Sequence, residues 1–417
     1  MSANRKMFLC SADGHVGAPT ERYKPFVEKR YHAAFDQYIA NHQWLWSPAH
    51  KESMIEKSLH ERLRGAEGFD PQRGSSIVWD PHFRLREMDK DGVCAEVLVP
   101  DDQNSNDPPW GSGLATAAVS SSLHEEYTPD WQRLGARAYN RWLADFCSTD
   151  HQRLRGLILL GTLDDVDWCI EEVIRAYKSG LTTGILLPLE YYQPLYHHPR
   201  YDALWATLEE MDLTIVSHVS KGGPRWVGSD PRTIARMWSV ESAWFAQRPM
   251  WSLMIGGIFE RHPKLRLAIT ELRSGWVSQM LNFLSRYTDD SDPILGGAPG
   301  AFTLSMTAEE YFKRQCYVTL SAKDLIKRSD LEPEHFHSVP NILWGSDLGH
   351  GEGFWPNGQA ELKKLVTGLS EADMRAYLGE RIESAYAIRR ADYADLIERI
   401  GPTPAQLGLV QRQAVPA

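Results

Sequence analysis

The sequence predicts a (β/α)8 TIM barrel with long loop insertions after its first and fifth strands. Two observations lead there. Eight short apolar runs alternate with segments of helical periodicity, which is how a parallel sheet covered by helices reads in one dimension. Four of those runs are followed by acids and imidazoles: Asp13-Gly14-His15, His218, Glu271 and Asp347-Leu348-Gly349-His350. In a barrel, side chains at the C-terminal ends of different strands meet at one mouth.

The eight runs are Met7–Cys10, Val93–Val99, Leu157–Leu160, Gly184–Leu187, Leu213–Val216, Leu265–Ile269, Cys316–Leu320 and Ile342–Trp344. They are continuous rather than alternating in hydropathy, as expected of strands buried on both faces. Val166–Tyr177 reads as a helix, because Val166, Ile170, Val173, Ile174 and Tyr177 share a face. Asp164 or Asp165 is placed to cap its start, and Gly180 to follow its end. Tyr201–Met211, Pro249–Glu260 and Leu272–Tyr287 read similarly. A doubly wound open sheet is the rival, but no GxGxxG motif follows the first run.

The barrel domain is expected over residues 1–390, with insertions at about 17–90 and 219–250 and a tail or arm over 391–417. The insertions are rich in aromatic residues, and they are expected to form substrate walls or to pack against a second copy of the chain in a homo-oligomer. Fifteen Trp residues exceed what a lid needs, and core packing explains most of them.

Composition narrows the class. The chain has 417 residues, 42% hydrophobic and 24% charged, with a formal charge of −10. That is ordinary for a soluble globular protein, and no basic stretch offers a footprint for nucleic acid. Five cysteines (Cys10, Cys94, Cys147, Cys169 and Cys316) lack metal or redox spacing and suggest a reducing compartment. Polar Ser11-Ala12-Asp13 comes too early for a signal peptide or a membrane span, so a cytoplasmic protein is expected.

Asp13 and His15 are two residues apart, which points both side chains to one face of an extended segment. With His218, Glu271 and Asp347 they make two imidazoles and three carboxylates, a set suited to zinc, manganese or iron(II). Each residue alone has a simpler reading. A strand-end His is usually hydrogen-bonded structure, and a strand-end acid is usually a helix cap. Their co-occurrence favours metal, since buried acids without partners are costly. His197-His198 reads as a turn that opens a helix, and His42 as a packed or surface residue. Asp101 and Asp102 follow the second run and are expected to cap a turn, to touch substrate or to orient ligands. Lys323 and Arg273 read as ion-pair partners, and Glu190 and Glu352 have no assigned role.

Asp13-x-His15, the His218 of Ile215-Val216-Ser217-His218, and Gly345-Ser346-Asp347 resemble the amidohydrolase-2 group, which includes aminocarboxymuconate semialdehyde decarboxylase and related hydrolases. Gly275-Trp276-Val277 and His350-x-Glu352-Gly353-x-Trp355-Pro356 extend the resemblance, which runs from about residue 7 to 390. It implies that Asp13, His15, His218 and Asp347 hold a first metal. Two departures stand out. Glu271 replaces the His that the decarboxylases place after strand six. No Lys occurs in Leu186-Leu187-Pro188-Leu189-Glu190, where dinuclear amidohydrolases carry a carbamylated Lys.

The opening and closing motifs are similar to a branch of this superfamily that binds two irons and activates dioxygen. Its known type hydroxylates a diterpenoid intermediate in platensimycin and platencin biosynthesis. That resemblance implies a non-haem di-iron monooxygenase using O2 and an external electron donor. Glu271 and His350 would serve the second iron and the chemistry, and the substrate would be bulky and apolar or CoA-linked. The alternative is a hydrolase or non-oxidative decarboxylase with one zinc or manganese and Glu271 as general base. A binding protein that has kept the barrel is a third reading.

Overall fold

The computed structural model describes residues 5–42, 65, 67–70, 74–101, 106–114, 127–189, 194–219, 230–288, 304–323 and 326–409. Asp102, Glu190 and Trp226 lie outside them, as does the side chain of Trp238.

Eight parallel strands run in sequence order around one sheet. They are β1 (Leu9–Val16), β2 (Val93–Pro100), β3 (Leu154–Leu159), β4 (Gly184–Leu186), β5 (Thr214–His218), β6 (Leu267–Thr270), β7 (Cys316–Leu320) and β8 (Ile342–Trp344). Every residue of β2 and β4–β8 is buried, as a sheet covered by helices requires. Between β8 and β1 there is no full ladder. A single bridge joins Gly14 to Leu348. The Asp347 N–H donates to the Asp13 carbonyl at 3.0 Å, and the His15 N–H to the Leu348 carbonyl at 2.8 Å. This seam nearly closes the sheet into the expected barrel.

The strand bounds expected for β7 and β8 match. β1 differs, because hydrogen bonding continues through the polar Asp13-Gly14-His15 and puts that motif inside the strand. Helix Val166–Lys178 starts under the Asp165 carboxylate, which accepts from the Trp168 N–H. The helix expected from Leu272 begins only at Val277. Pro231–Ile255 is one long helix, and Gly257 at φ +72° separates it from Ile258–Arg261.

The stretch between β1 and β2 ends in helix Pro81–Asp91, the covering helix of the first β/α unit. Helix Pro231–Ile255 does the same between β5 and β6. Beyond residue 390, helix Ala394–Ile400 lies against β2, and Leu407 is buried. All five cysteines are buried and free. No helix among the described residues is long and apolar enough to cross a membrane.

Candidate metal centre

Strand alternation decides what reaches the barrel mouth. On β5, the Ser217 hydroxyl donates outward to Ala246 of the covering helix at 2.6 Å. His218 therefore faces inward. On β1, His15 pairs with Val99 and faces inward, whereas Gly14 faces helix Pro81–Asp91. Glu271 and Asp347 leave their strands in the left-handed conformation, at φ +61° and +52°. Such backbone costs about 1–3 kcal/mol for a non-glycine residue and persists where the surroundings enforce it. Neither residue caps a helix.

These turns bring the expected residues together. Nε2 of His15 lies 3.6 Å from Asp13 Oδ1 and 3.2 Å from Asp347 Oδ1. Nε2 of His218 lies 3.6 Å from Asp13 Oδ1 and 3.4 Å from Glu271 Oε2. The other ring nitrogens are engaged: Nδ1 of His15 with the Pro100 carbonyl at 2.9 Å, and Nδ1 of His218 with the Val219 carbonyl at 2.7 Å. With Nδ1 as donor, each neutral ring aims a lone pair at carboxylate oxygens. Acceptors facing acceptors at this range need a proton or a cation between them. Both carboxylate oxygens of Asp13 and of Asp347, and both Nε2 atoms, are buried without a hydrogen-bond partner. This donor set fits a divalent cation of the zinc or manganese type.

His350 also joins the site. Its ring stacks on His15, with centroids 3.5 Å apart. Its Nδ1 lies 3.1 Å from Asp347 Oδ1, and its Nε2 lies 3.2 Å from Asp101 Oδ1. Burial opposes the charge, but the Asp347 and Asp101 carboxylates raise the His350 pKa well above its ordinary value. The same contacts act on Asp347. Despite burial, the His350 and His15 rings hold its carboxyl below the usual range. Burial, reinforced by Asp347 and Asp13, pushes the Glu271 carboxyl well above its usual range. Glu271, Asp347, His350 and Glu352 also form a group whose donor atoms lie within 4.8 Å of one another. It shares Asp347 and His350 with a second such group, His15, Asp347 and His350, and a third joins Asp13, His15 and His218.

His42 is buried away from these donors, with its Nδ1 on the Tyr38 carbonyl at 2.8 Å and its ring among Tyr38 and Tyr127. The His198 side chain accepts from the Arg200 N–H at a helix start, as the turn reading expects. Lys323 donates to the Gly353 carbonyl at 2.7 Å, and Arg273 pairs with Asp330 at 3.0 Å.

Behind the seam lies a pair absent from the sequence reading. Arg84, on helix Pro81–Asp91, and Glu96, on β2, are both fully buried. The Arg84 guanidinium also donates to the carbonyls of His15 (2.8 Å), Ile77 (3.1 Å) and Leu348 (3.3 Å). It thus ties β1, the segment after β8 and the turn before its own helix to one buried group. Ser346 Oγ donates to Glu96 Oε1 at 2.6 Å, and the Ser346 N–H donates to Ser11 Oγ at 2.8 Å. The sequence signal for this pair is the lone Glu96 within the apolar run Val93–Val99, because a buried charge requires a partner.

The amidohydrolase family model matches residues 79–290. A gamma-resorcylate decarboxylase from Rhodococcus jostii (strain RHA1) is 26% identical over 289 residues, spanning 63% of this chain and 77% of that protein. An amidohydrolase from Mycobacterium avium subsp. paratuberculosis K-10 superposes with a TM-score of 0.63 at 17% identity, covering 94% of this chain and 99% of that one. A 5-carboxyvanillate decarboxylase from Novosphingobium aromaticivorans DSM 12444, solved with manganese, gives a TM-score of 0.59 at 16% identity, covering 92% and 98%. The structural matches share the fold. The family match spans just over half of the sequence, and the chain belongs to the amidohydrolase family.

Proposed function

We propose that this chain is a metal-dependent hydrolase or non-oxidative decarboxylase acting on a small organic acid. Asp13, His15, His218 and Asp347 would hold one divalent cation, with manganese or zinc favoured. The observation that carries the reading is the convergence of buried, unpartnered donor atoms from these four residues. The decarboxylase names among the relatives, one with manganese bound, support the same choice. A bound cation would grip a substrate carboxylate or lower the pKa of a water.

The chain's own residues supply the rest. Glu271, with its raised pKa, holds a proton at the mouth, and a bound cation would loosen that proton. In a decarboxylation, the electron pair left on carbon when CO2 departs takes up a proton, and Glu271 is placed to supply it. In a hydrolysis, the same carboxylate takes a proton from water. His350, held between Asp101 and Asp347, fixes the orientation of Asp347. Seated against His15, it would also keep water from that side of a bound cation.

A second reading is a di-iron monooxygenase that uses O2 and an external electron donor on a bulky apolar or CoA-linked substrate. The observation favouring it is the carboxylate-rich group of Glu271, Asp347, His350 and Glu352.

The test is metal analysis of protein grown with iron, manganese and zinc, followed by turnover assays. One manganese or zinc per chain, with CO2 release from γ-resorcylate or 5-carboxyvanillate, supports decarboxylation. Two irons per chain and substrate-dependent O2 uptake would replace that reading with oxygenation. Glu271→Ala separates the two further: it lowers metal stoichiometry only where Glu271 serves a second cation.

A further inference from the structure

Two serines sit beside the acids that meet at the seam. Ser11 lies two residues before Asp13 on β1, and Ser346 lies directly before Asp347, just past β8. Both side chains are buried. The Ser11 hydroxyl donates to the Asp13 carbonyl at 2.7 Å. Its oxygen accepts the N–H of Asp13 at 3.3 Å and that of Ser346 at 2.8 Å. The Ser346 hydroxyl donates to Glu96 Oε1 at 2.6 Å, and its oxygen accepts the Leu348 N–H at 3.2 Å. The two hydroxyl oxygens stand 3.1 Å apart.

The consecutive N–H groups of Ser346, Asp347 and Leu348 therefore all find acceptors at the seam: Ser11 Oγ, the Asp13 carbonyl and Ser346 Oγ. One hydroxyl, that of Ser11, clamps the backbone of Asp13 to the residue before Asp347. The other ties the same backbone to Glu96, whose second oxygen is held by Arg84. Asp347 sits inside this clamp at φ +52°, a backbone conformation that persists where the surroundings over-determine it. The Asp13 carboxylate has no comparable hold of its own. Both of its oxygens are buried without a hydrogen-bond partner, so its backbone sets its aim.

We propose that Ser11 and Ser346 are positioning residues of the cation site. Their hydrogen bonds run to backbone groups and to Glu96, so they act through the two acids, fixing both backbones so that the carboxylates face one point. The inference rests on the metal-dependent reading above. Donors held in place before an ion arrives give up less conformational freedom when it binds. Ser346→Ala leaves Glu96 Oε1 and the Leu348 N–H without these partners, and Ser11→Ala does the same to the N–H groups of Asp13 and Ser346.

The test measures Mn²⁺ affinity of the folded full chain by titration calorimetry, and the EPR spectrum of the bound ion. Ser346→Ala is expected to weaken Mn²⁺ binding by about 10–100-fold and to change the zero-field splitting of whatever Mn²⁺ it retains. Ser11→Ala provides the same test if the first variant does not fold. Thr214→Val is the control. Its hydroxyl donates to the Ala385 carbonyl at 2.6 Å, buried and four residues before His218 on β5, so its removal should lower the melting temperature and leave Mn²⁺ affinity and spectrum unchanged. A loss of affinity no larger than that of Thr214→Val, or an unaltered spectrum, overturns the positioning role and leaves the metal reading standing. A wild-type chain that takes up no Mn²⁺ or Zn²⁺ overturns the metal reading and this proposal with it.

Discussion

Arg84 donates to a single oxygen of Glu96 twice, from Nε at 2.9 Å and from Nη2 at 2.7 Å, with both side chains sealed from solvent. Removing one partner of such a pair leaves an uncompensated buried charge, which costs about 3–5 kcal/mol. Arg84→Met is therefore expected to lower stability by that amount, and Arg84→Met with Glu96→Leu to recover part of it. Denaturant melts of the wild type, the single variants and the double variant measure the difference.

Gly14 lies against this pair. A Cβ there would come within 2.3 Å of Glu96 Oε1 and 2.7 Å of Arg84 Nη2. Both atoms are pinned by hydrogen bonds, so the strand must yield. Gly14→Ala is expected to cost about 1–3 kcal/mol and to displace the neighbouring Asp13 and His15. Thermal melts and Mn²⁺ titration of the variant read the two effects separately.

Asp91 gives a pH dependence. Burial lifts its carboxyl from 3.8 to about 7, against the opposing hydrogen bond from the Gln359 backbone. A carboxyl raised in the folded state contributes its stability in full below the unfolded value. That contribution is lost as pH rises through the folded value. Discounted for partial exposure, the loss between pH 4 and pH 7 is on the order of 2 kcal/mol. Asp91→Asn is expected to remove that slope, as seen in melts of both proteins across the same range.

His218 supplies a direct test of the donor set. Mn²⁺ at a hundredfold excess over its Kd should stabilise the wild type by about 2.7 kcal/mol. His218→Ala is expected to weaken binding by at least ~100-fold, since changes one layer further out already cost 10–100-fold. At the same Mn²⁺ concentration its melting temperature should barely move.

Much of this architecture is legible in the chain because strands buried on both faces read as continuous apolar runs, and β7 and β8 appear with their true bounds. The acids and imidazoles are legible because chain order places them at strand ends. Two kinds of feature are not. β1 extends past its apolar run because Asp13 and His15 are buried by the barrel rather than by their own hydropathy. Helix Val277–Ser285 starts late because the Leu272 N–H still donates across to Thr319 of β7, and no periodicity marks such a pairing. The Arg84–Glu96 pair joins a helix to a strand, and residue patterns along one segment carry no information about a partner on another.

The unfinished ladder between β8 and β1 has a dynamic consequence. Three of the four residues proposed to hold the cation, Asp13, His15 and Asp347, straddle that break, so an ion there would act as a rivet across the weakest joint of the barrel wall. Deuterium should then enter the backbone amides of His15 and Asp347 sooner than those of the fully laddered β5–β7 in chelator-treated protein. Loading Mn²⁺ should slow their exchange most.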